Sequence, residues 1–385
     1  MLLSSAWMRS PAFLRRACFH QSSRQVSLVP LSYGKDEEQD PEQERNGDTK
    51  HLQNTSSPGQ TSFHMVRSLH QKGQLERSIE ILSHIPELCP NHKLYLYLLK
   101  DCIQKKTLHL TKKVQLHLLP HKAKLPCFLN DYVVVCLAKC GGIDEALQLA
   151  RTLTRRTVFS WTAMISSCVE CDRPHEAIHL YSLMQKDNVF PDHYTIVSVL
   201  KACGNVYNLE IGEKLHQDAR KFGFLSDIFI GNTLVSMYGK NGAIDRAEDV
   251  FRGLMKHNEV SCNAMLSVYV ENGQADKALR LYRQMQAERV CCNELTFAIT
   301  SQGCLTLAEK EEYLQCPKVM ALEIGRALLY DAQRRGFGSD GFVCNMFICL
   351  FGKFGTLAEA ELTFGNLVFQ DVKSWTIMFC AYVDQ

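Results

Sequence analysis

The chain has 385 residues, 46% apolar and 22% charged, too long for one compact domain unless it grows by repetition, and this excludes collagen-like, coiled-coil and wholly disordered chains. With 43 Lys and Arg against 41 Asp and Glu the net charge is +2, which excludes a protein-wide positive field and confines any nucleic-acid surface to a local one. No stretch approaches the roughly 18 consecutive apolar residues of a membrane span, so no membrane partner is expected, and the 17 cysteines, odd in number and with no secretory signal before them, read as mostly reduced.

Residues 1–35 carry Arg9, Arg15, Arg16, Arg24 and Lys35 with no Asp or Glu, interleaved with Leu3, Trp7, Phe13, Leu14 and Phe19. That pattern predicts an organelle-targeting presequence. Residues 36–60 reverse it: Asp36, Glu37, Glu38, Asp40, Glu42, Glu44 and Asp48 face only Arg45 and Lys50, and too few apolar residues follow to offset the entropy of ordering, so an acidic disordered linker is expected.

From residue 61 to 385 the sequence repeats. A degenerate opening unit, 61–91, precedes units at 92–126, 127–157, 158–192, 193–227, 228–258, 259–293, 294–340 and 341–371, and 372–385 begins another. The phase is plainest between units 158–192 and 259–293. There Ser160-Trp161-Thr162-Ala163-Met164 meets Ser261-Cys262-Asn263-Ala264-Met265, and Ala177, Leu180, Tyr181 and Met184 meet Ala278, Leu281, Tyr282 and Met285. Shorter units at 127–157, 228–258 and 341–371 share Gly142-Ile143-Asp144-Glu145-Ala146, Ala243-Ile244-Asp245-Arg246-Ala247 and Thr356-Leu357-Ala358-Glu359-Ala360. The cycle is long, long, short.

Within each unit two apolar stripes of period 3.6 flank a glycine or polar turn, as at Asn272-Gly273, and predict a helical hairpin. One hairpin cannot bury both stripes, whereas stacked neighbours can, so the fold expected is all-α, a right-handed α-solenoid of helix-turn-helix repeats. Ala146, Ala177, Ala247, Ala278 and Ala360 share one position on the second helix, where a small side chain lets paired helices approach. Unit 294–340 is 47 residues long, and about twelve extra residues near 308–319 are expected as a loop or an elongated helix end.

These residues resemble the pentatricopeptide repeat family, in the subgroup that alternates standard, long and short motifs. The 34-residue tetratricopeptide repeat fits less well, because it expects Gly where Ile165, Val235 and Leu266 stand and Ala where Met184, Leu254 and Met285 stand. The resemblance implies binding of single-stranded RNA at about one base per repeat. It implies that the fifth and last residues of a unit meet the base edge, which selects Thr162 with Asp192 as a guanine pair, Asn232 with Asn258 and Asn263 with Asn293 as cytosine pairs, and Asn345 with Asp371 as a uracil pair. Thr376 is then half of a purine pair. The pairs Leu96 with Pro126, Asp131 with Thr157, Val197 with Asp227 and Ala298 with Asp340 fit no reader, so the expected string is G-x-C-C-x-U-purine. The second residue of a unit is expected to pack on base faces, here Phe128, Phe159, Tyr194, Phe229, Val260, Leu295 and Phe342, with Lys373 departing from the apolar row.

Further implied is a role as a site-recognition factor for C-to-U RNA editing or related transcript processing, in the mitochondrion, which the arginine-led leader favours, or in the chloroplast. Relatives in this subgroup carry additional C-terminal motifs and often a deaminase domain. This sequence stops inside a unit, so either it is a fragment or a deaminase partner acts in trans. A helical-repeat scaffold for protein interaction, without RNA specificity, is the alternative.

No catalytic residue, metal site or cofactor is expected. Cys168-x-x-Cys171 lacks a second ligand pair, and Cys168 shares its repeat position with Cys102, Cys203, Tyr238 and Tyr269, which favours packing. His257-x-Glu259 matches the first half of a zinc deaminase signature without the downstream P-C-x-x-C. The run Lys105, Lys106, Lys112, Lys113, Lys122 and Lys124 with His109, His117 and His121 reads equally as a phosphate contact or a solvated face.

Overall fold

The computed structural model describes residues 58–87, 89, 92–153, 156–310 and 317–383, and in these it is all-helical. The expected presequence and almost all of the expected linker lie outside them. One correction falls at the linker's end: the first helix starts at Pro58, three residues inside the stretch read as disordered, with a proline in the first turn, where its missing N–H costs nothing.

The described residues form two compact bodies, one ending at Val206 and the other starting at Tyr207. The first holds α1 (Pro58–Gln71), α2 (Leu75–Ser83), α3 (Lys93–Lys105), α4 (Leu108–Leu118), α5 (Cys127–Lys139), α6 (Ile143–Arg151), α7 (Val158–Glu170), α8 (Pro174–Lys186) and α9 (His193–Val206). The second holds α10 (Leu209–Lys221), α11 (Ile228–Lys240), α12 (Ile244–Arg252), α13 (Glu259–Glu271), α14 (Ala275–Ala287), α15 (Glu294–Lys310), α16 (Pro317–Arg334), α17 (Gly341–Lys353), α18 (Leu357–Gly365) and α19 (Val372–Val383).

In both bodies the same packing rule holds. The first helix of a hairpin lies against its own second helix and against the first helix of the next hairpin: α3 on α5, α5 on α7 and α7 on α9 in one body, α11 on α13, α13 on α15, α15 on α17 and α17 on α19 in the other. First helices are therefore apolar nearly all round. Tyr95, Leu129, Met164 and Ile165 in one body and Phe297, Phe347 and Phe351 in the other are fully buried. Second helices keep one wet face, and the alanines 146, 177, 247, 278 and 360 are all sealed where that helix meets its partner. At about 25 cal/mol per Å² of apolar surface, it is these first-helix side chains that carry most of the stability.

The hairpin turns need a left-handed backbone residue. Gly141 and Gly242 supply it with φ of 92° and 73°, while unit 158–192 uses Asp172 at 56°, a conformation that Asp tolerates better than most side chains. Glycine also permits close approach between units: a Cβ at Gly239 would collide with Val268, and one at Gly352 with Ala381. In the long unit 294–340 the extra residues lengthen the helices, α15 to 17 residues and α16 to 18, against 13 in α13 and α14.

Candidate nucleic-acid interface

The last residue of a unit stands immediately before the next first helix, where four backbone N–H groups lack partners, so a short polar side chain there caps the helix. Asp192 Oδ1 accepts from the Thr195 N–H at 2.7 Å, Asp227 Oδ1 from Phe229 at 2.8 Å, and Asn293 Oδ1 from Thr296 at 3.0 Å. Asp340 Oδ1 accepts from Phe342 and Val343, and Asp371 Oδ1 from Ser374 at 2.8 Å. Asn258 and Ser261 form a reciprocal capping box, 2.8 and 2.9 Å. The cap at Asp371 holds its carboxyl below the ordinary carboxylate range, chiefly through the Ser374 N–H.

The fifth residue, one turn into the preceding first helix, reaches the same junction. Thr162 Oγ1 lies 2.6 Å from Thr195 Oγ1 and 3.5 Å from Asp192 Oδ1. Asn263 Nδ2 donates to Asn293 Oδ1 at 3.1 Å, and its Oδ1 accepts from Thr296 Oγ1 at 2.8 Å. Asn293 also donates through Nδ2 to Glu259. Fifth and last residues are thus brought into one polar cluster at the junctions 192/193 and 293/294.

The other junctions are assembled differently. Asn232 Oδ1, Asn345 Oδ1 and both carboxylate oxygens of Asp131 are buried without a hydrogen-bond partner. Burial pushes the Asp131 carboxyl up, although Thr157 and Ser160 face it. The expected base-edge positions are mostly sunken rather than open: Asn232 is 9% and Asn263 5% exposed, while Thr162, Asp192, Asn293 and Asn345 are half-buried and Asn258, Asp371 and Thr376 exposed. The Thr376 hydroxyl is turned back onto the Val372 carbonyl at 2.6 Å.

The second-position row lies at the surface. Phe229 is 59% exposed, Phe128, Phe159 and Val260 are exposed to a lesser degree, and Tyr194, Leu295 and Phe342 are half-buried. The row thus leaves apolar surface open at the first-helix starts.

The remaining sequence candidates have structural partners. His257 stacks on Phe251 with ring centroids 4.3 Å apart and bonds the Phe251 carbonyl through Nε2 at 3.0 Å, and Glu259 accepts from Asn293. Cys168 is buried and Cys171 exposed. The basic run is split: Lys112 pairs with Glu145 at 2.5 Å, whereas His117 is inside, 3.0 Å from Tyr95 Oη, and desolvation lowers its pKa. Among the described residues no group of three or more His, Cys, Asp or Glu side chains is placed to share a metal ion.

Sequence reasoning missed Thr195 and Thr296, the third residues of their units. Their signal was present, since the third position reads Thr195 and Thr296 at two junctions, Ser160, Ser261 and Ser374 at three, and Leu129, Ile230 and Val343 where the fifth residue is apolar or the pair unreadable.

Segments 156–205 and 257–306 match the PPR repeat family, and 232–258 matches the PPR repeat. Among curated relatives, the chloroplastic pentatricopeptide repeat-containing protein CRR2 of Arabidopsis thaliana is 29% identical over 324 residues, 83% of this chain and 47% of its own length. A putative mitochondrial pentatricopeptide repeat-containing protein of Arabidopsis thaliana is 25% identical over 336 residues, 86% of this chain and 51% of its own. The chain spans about half the length of the curated relatives it matches. Among solved structures, PPR10 in complex with an 18-nucleotide psaJ RNA element aligns over 84% of this chain and 53% of its own, with a TM-score of 0.57 at 14% identity, a likeness of helical-repeat solenoid fold. Repeat matches, curated relatives and fold agree: the chain carries PPR repeats in these segments and is similar to pentatricopeptide repeat proteins over most of its length.

Proposed function

We propose that this chain binds single-stranded RNA within an organelle, one base per unit, with the fifth and last residues meeting the base edge and the second-position row, led by Phe128, Phe159 and Phe229, packing on base faces. The observation that carries this reading is the junction geometry: at 192/193 and 293/294 the fifth and last side chains sit in one hydrogen-bonded cluster, and the second residues of the same units, Phe159 and Val260, are exposed. Unpaired bases offer edges to such clusters and π-faces to the apolar row. The relatives named chloroplastic and mitochondrial support an organellar setting, and the RNA in the PPR10 complex supports the ligand class.

On this reading the leader 1–35 and acidic segment 36–60 precede a binding region, 61–385, that recognises G-x-C-C-x-U-purine and marks a site for C-to-U editing or related processing. Recognition is this chain's part. The deamination itself is assigned to a partner in trans or to sequence beyond residue 385, and the arginine-led leader favours the mitochondrion.

The test is titration of the protein with a single-stranded oligonucleotide carrying that string, with A at each x. Changing its G or its U is expected to weaken binding by about tenfold, one good base contact. Affinity is also expected to fall with salt at a log–log slope near −0.7 per phosphate contacted. Equal affinity for all strings, or a flat salt dependence as for a peptide-binding scaffold, would refute the reading.

A further inference from the structure

Thr195 and Thr296 are fully buried, each the third residue of its unit, and each bonds across the junction to the fifth side chain of the unit before it. At the three junctions where serine holds that place the hydroxyl turns elsewhere. Ser160 donates to the Thr157 carbonyl at 3.0 Å, Ser261 to the Asn258 carbonyl at 2.9 Å, and Ser374 to Asp371 Oδ1 at 2.8 Å. The fifth residues there, Asp131, Asn232 and Asn345, are the ones with unpartnered buried oxygens. The correlation is clean at four of these junctions, while at the fifth Ser160 also faces the Asp131 carboxyl, and it has a physical basis. Threonine's methyl restricts χ1 more than serine's lone hydroxyl does, and at Thr195 and Thr296 the hydroxyl lies within reach of the fifth side chain across the junction.

Proton bookkeeping then fixes what each reader offers. A hydroxyl has one proton. Thr195 Oγ1 donates to the acceptor-only carboxylate of Asp192 at 2.7 Å, so Thr162 must donate in the 2.6 Å contact between the two hydroxyls. Thr162 has then spent its proton and faces outward with lone pairs only. At 293/294 the Thr296 hydroxyl has Asn263 Oδ1 at 2.8 Å and Asn293 Oδ1 at 3.0 Å; Asn293 Oδ1 already accepts from the Thr296 N–H and from Asn263 Nδ2, so the proton goes to Asn263 and the amide is held with its oxygen inward and its remaining N–H outward. Asn232 and Asn345 have no such hold on their oxygens.

We propose that Thr195 and Thr296 are positioning residues that set the hydrogen-bond polarity of the reader in the preceding unit, making Thr162 an acceptor and Asn263 a donor, while the serine junctions leave Asn232 and Asn345 free to turn either way. This deepens the RNA reading above and rests on it. Acceptor polarity at Thr162 favours guanine, whose N1–H donates, over adenine, whose N1 accepts. Donor polarity at Asn263 favours cytosine, whose N3 accepts, over uracil, whose N3–H donates. Asn232, carrying the same side chain without the hold, reads cytosine and uracil nearly alike.

The experiment measures dissociation constants of the protein and of its Thr195→Val and Thr296→Val variants for four oligonucleotides: the full G-x-C-C-x-U-purine string, and versions with A for its G, U for the C facing Asn232, or U for the C facing Asn263. In the unaltered protein the C-to-U penalty opposite Asn263 is expected to exceed that opposite Asn232 by about three- to tenfold, the weight of one net hydrogen bond. Thr296→Val narrows the first penalty toward the second, and Thr195→Val narrows the G-to-A penalty by a similar factor, each without altering the penalty at the other junction. Ser261→Thr, which keeps a hydroxyl and its cap, sharpens the penalty opposite Asn232 and serves should a valine variant fail to fold. Equal penalties opposite Asn232 and Asn263, with no response to any of the three substitutions, overturn the polarity proposal while RNA selectivity at G and U still stands. Absence of binding to every oligonucleotide overturns both.

Discussion

Asn232 and Asn263 occupy the same position on equivalent helices of neighbouring hairpins, both nearly buried, yet one oxygen is unpartnered and the other is bonded. The difference lies across the junction: Thr296 and Asn293 both bond Asn263, whereas Ser261 donates to the Asn258 carbonyl. The hydrogen bonding of a fifth side chain is therefore a property of a junction between two repeats rather than of a repeat.

Alanine substitution should separate the two sites most strongly. Asn263→Ala removes two hydrogen bonds from the junction, those to Thr296 and to Asn293, and is expected to cost about 1–3 kcal/mol in a denaturant melt. Asn232→Ala removes a buried oxygen that has no partner, and is expected to change stability by less than about 1 kcal/mol, or to raise it. Equal losses would erase the contrast.

Capping offers the next largest effect. Asp192→Ala deletes an acceptor that holds both the N–H and the hydroxyl of Thr195, and is expected to cost about 1–2 kcal/mol, whereas Thr157→Ala, at a helix start with no side-chain cap bond, is expected to cost only a few tenths of a kcal/mol. Thermal unfolding of the two variants side by side measures this.

Asp131 sharpens the comparison through pH. Burial raises its folded-state pKa above the ordinary 3.8, so the folded protein binds the proton more tightly than the unfolded chain does. Stability contributed by the neutral acid is then present below that range and is lost as pH rises from about 3.8 through the raised folded value. Asp131→Asn is expected to remove this loss, so that the variant gains stability over the parent between melts at pH 4 and pH 7. A variant no more stable than the parent at pH 7 would show that the carboxylate finds partners after all.

The smallest expected change in stability is at the surface row. Phe229→Ala, at a side chain 59% exposed, should shift unfolding by no more than about 0.5 kcal/mol, while RNA affinity falls by about 1–3 kcal/mol if the ring stacks on a base. A change in the reverse pattern would make Phe229 a packing residue.

Much of the architecture could be read from residues alone because period and turn chemistry act locally. The paired stripes of 259–293 became α13 and α14, and the alanines at 146, 177, 247, 278 and 360 lie sealed between helices as their spacing implied. The extra residues of 294–340 lengthen α15 and α16, and only the Pro58 helix start was misread, because its proline signal stood in a polar, glycine-bearing stretch. The polarity of the readers was not legible in the same way. It depends on which way the Thr195, Thr296 and Ser261 hydroxyls turn, and that is decided between residues about 33 apart in the chain, as in the bond from Thr296 to Asn263.

One feature of the helix starts constrains how such a molecule can change. Because Asp192, Asn258, Asn293 and Asp371 each satisfy the backbone of the helix that follows, any replacement at those places must come from the few side chains that can also do that work. Variation there is taxed by foldability, so drift toward a different target would be cheapest at the fifth position of serine junctions, and a designer seeking new targets would do well to begin at Asn232 and Asn345.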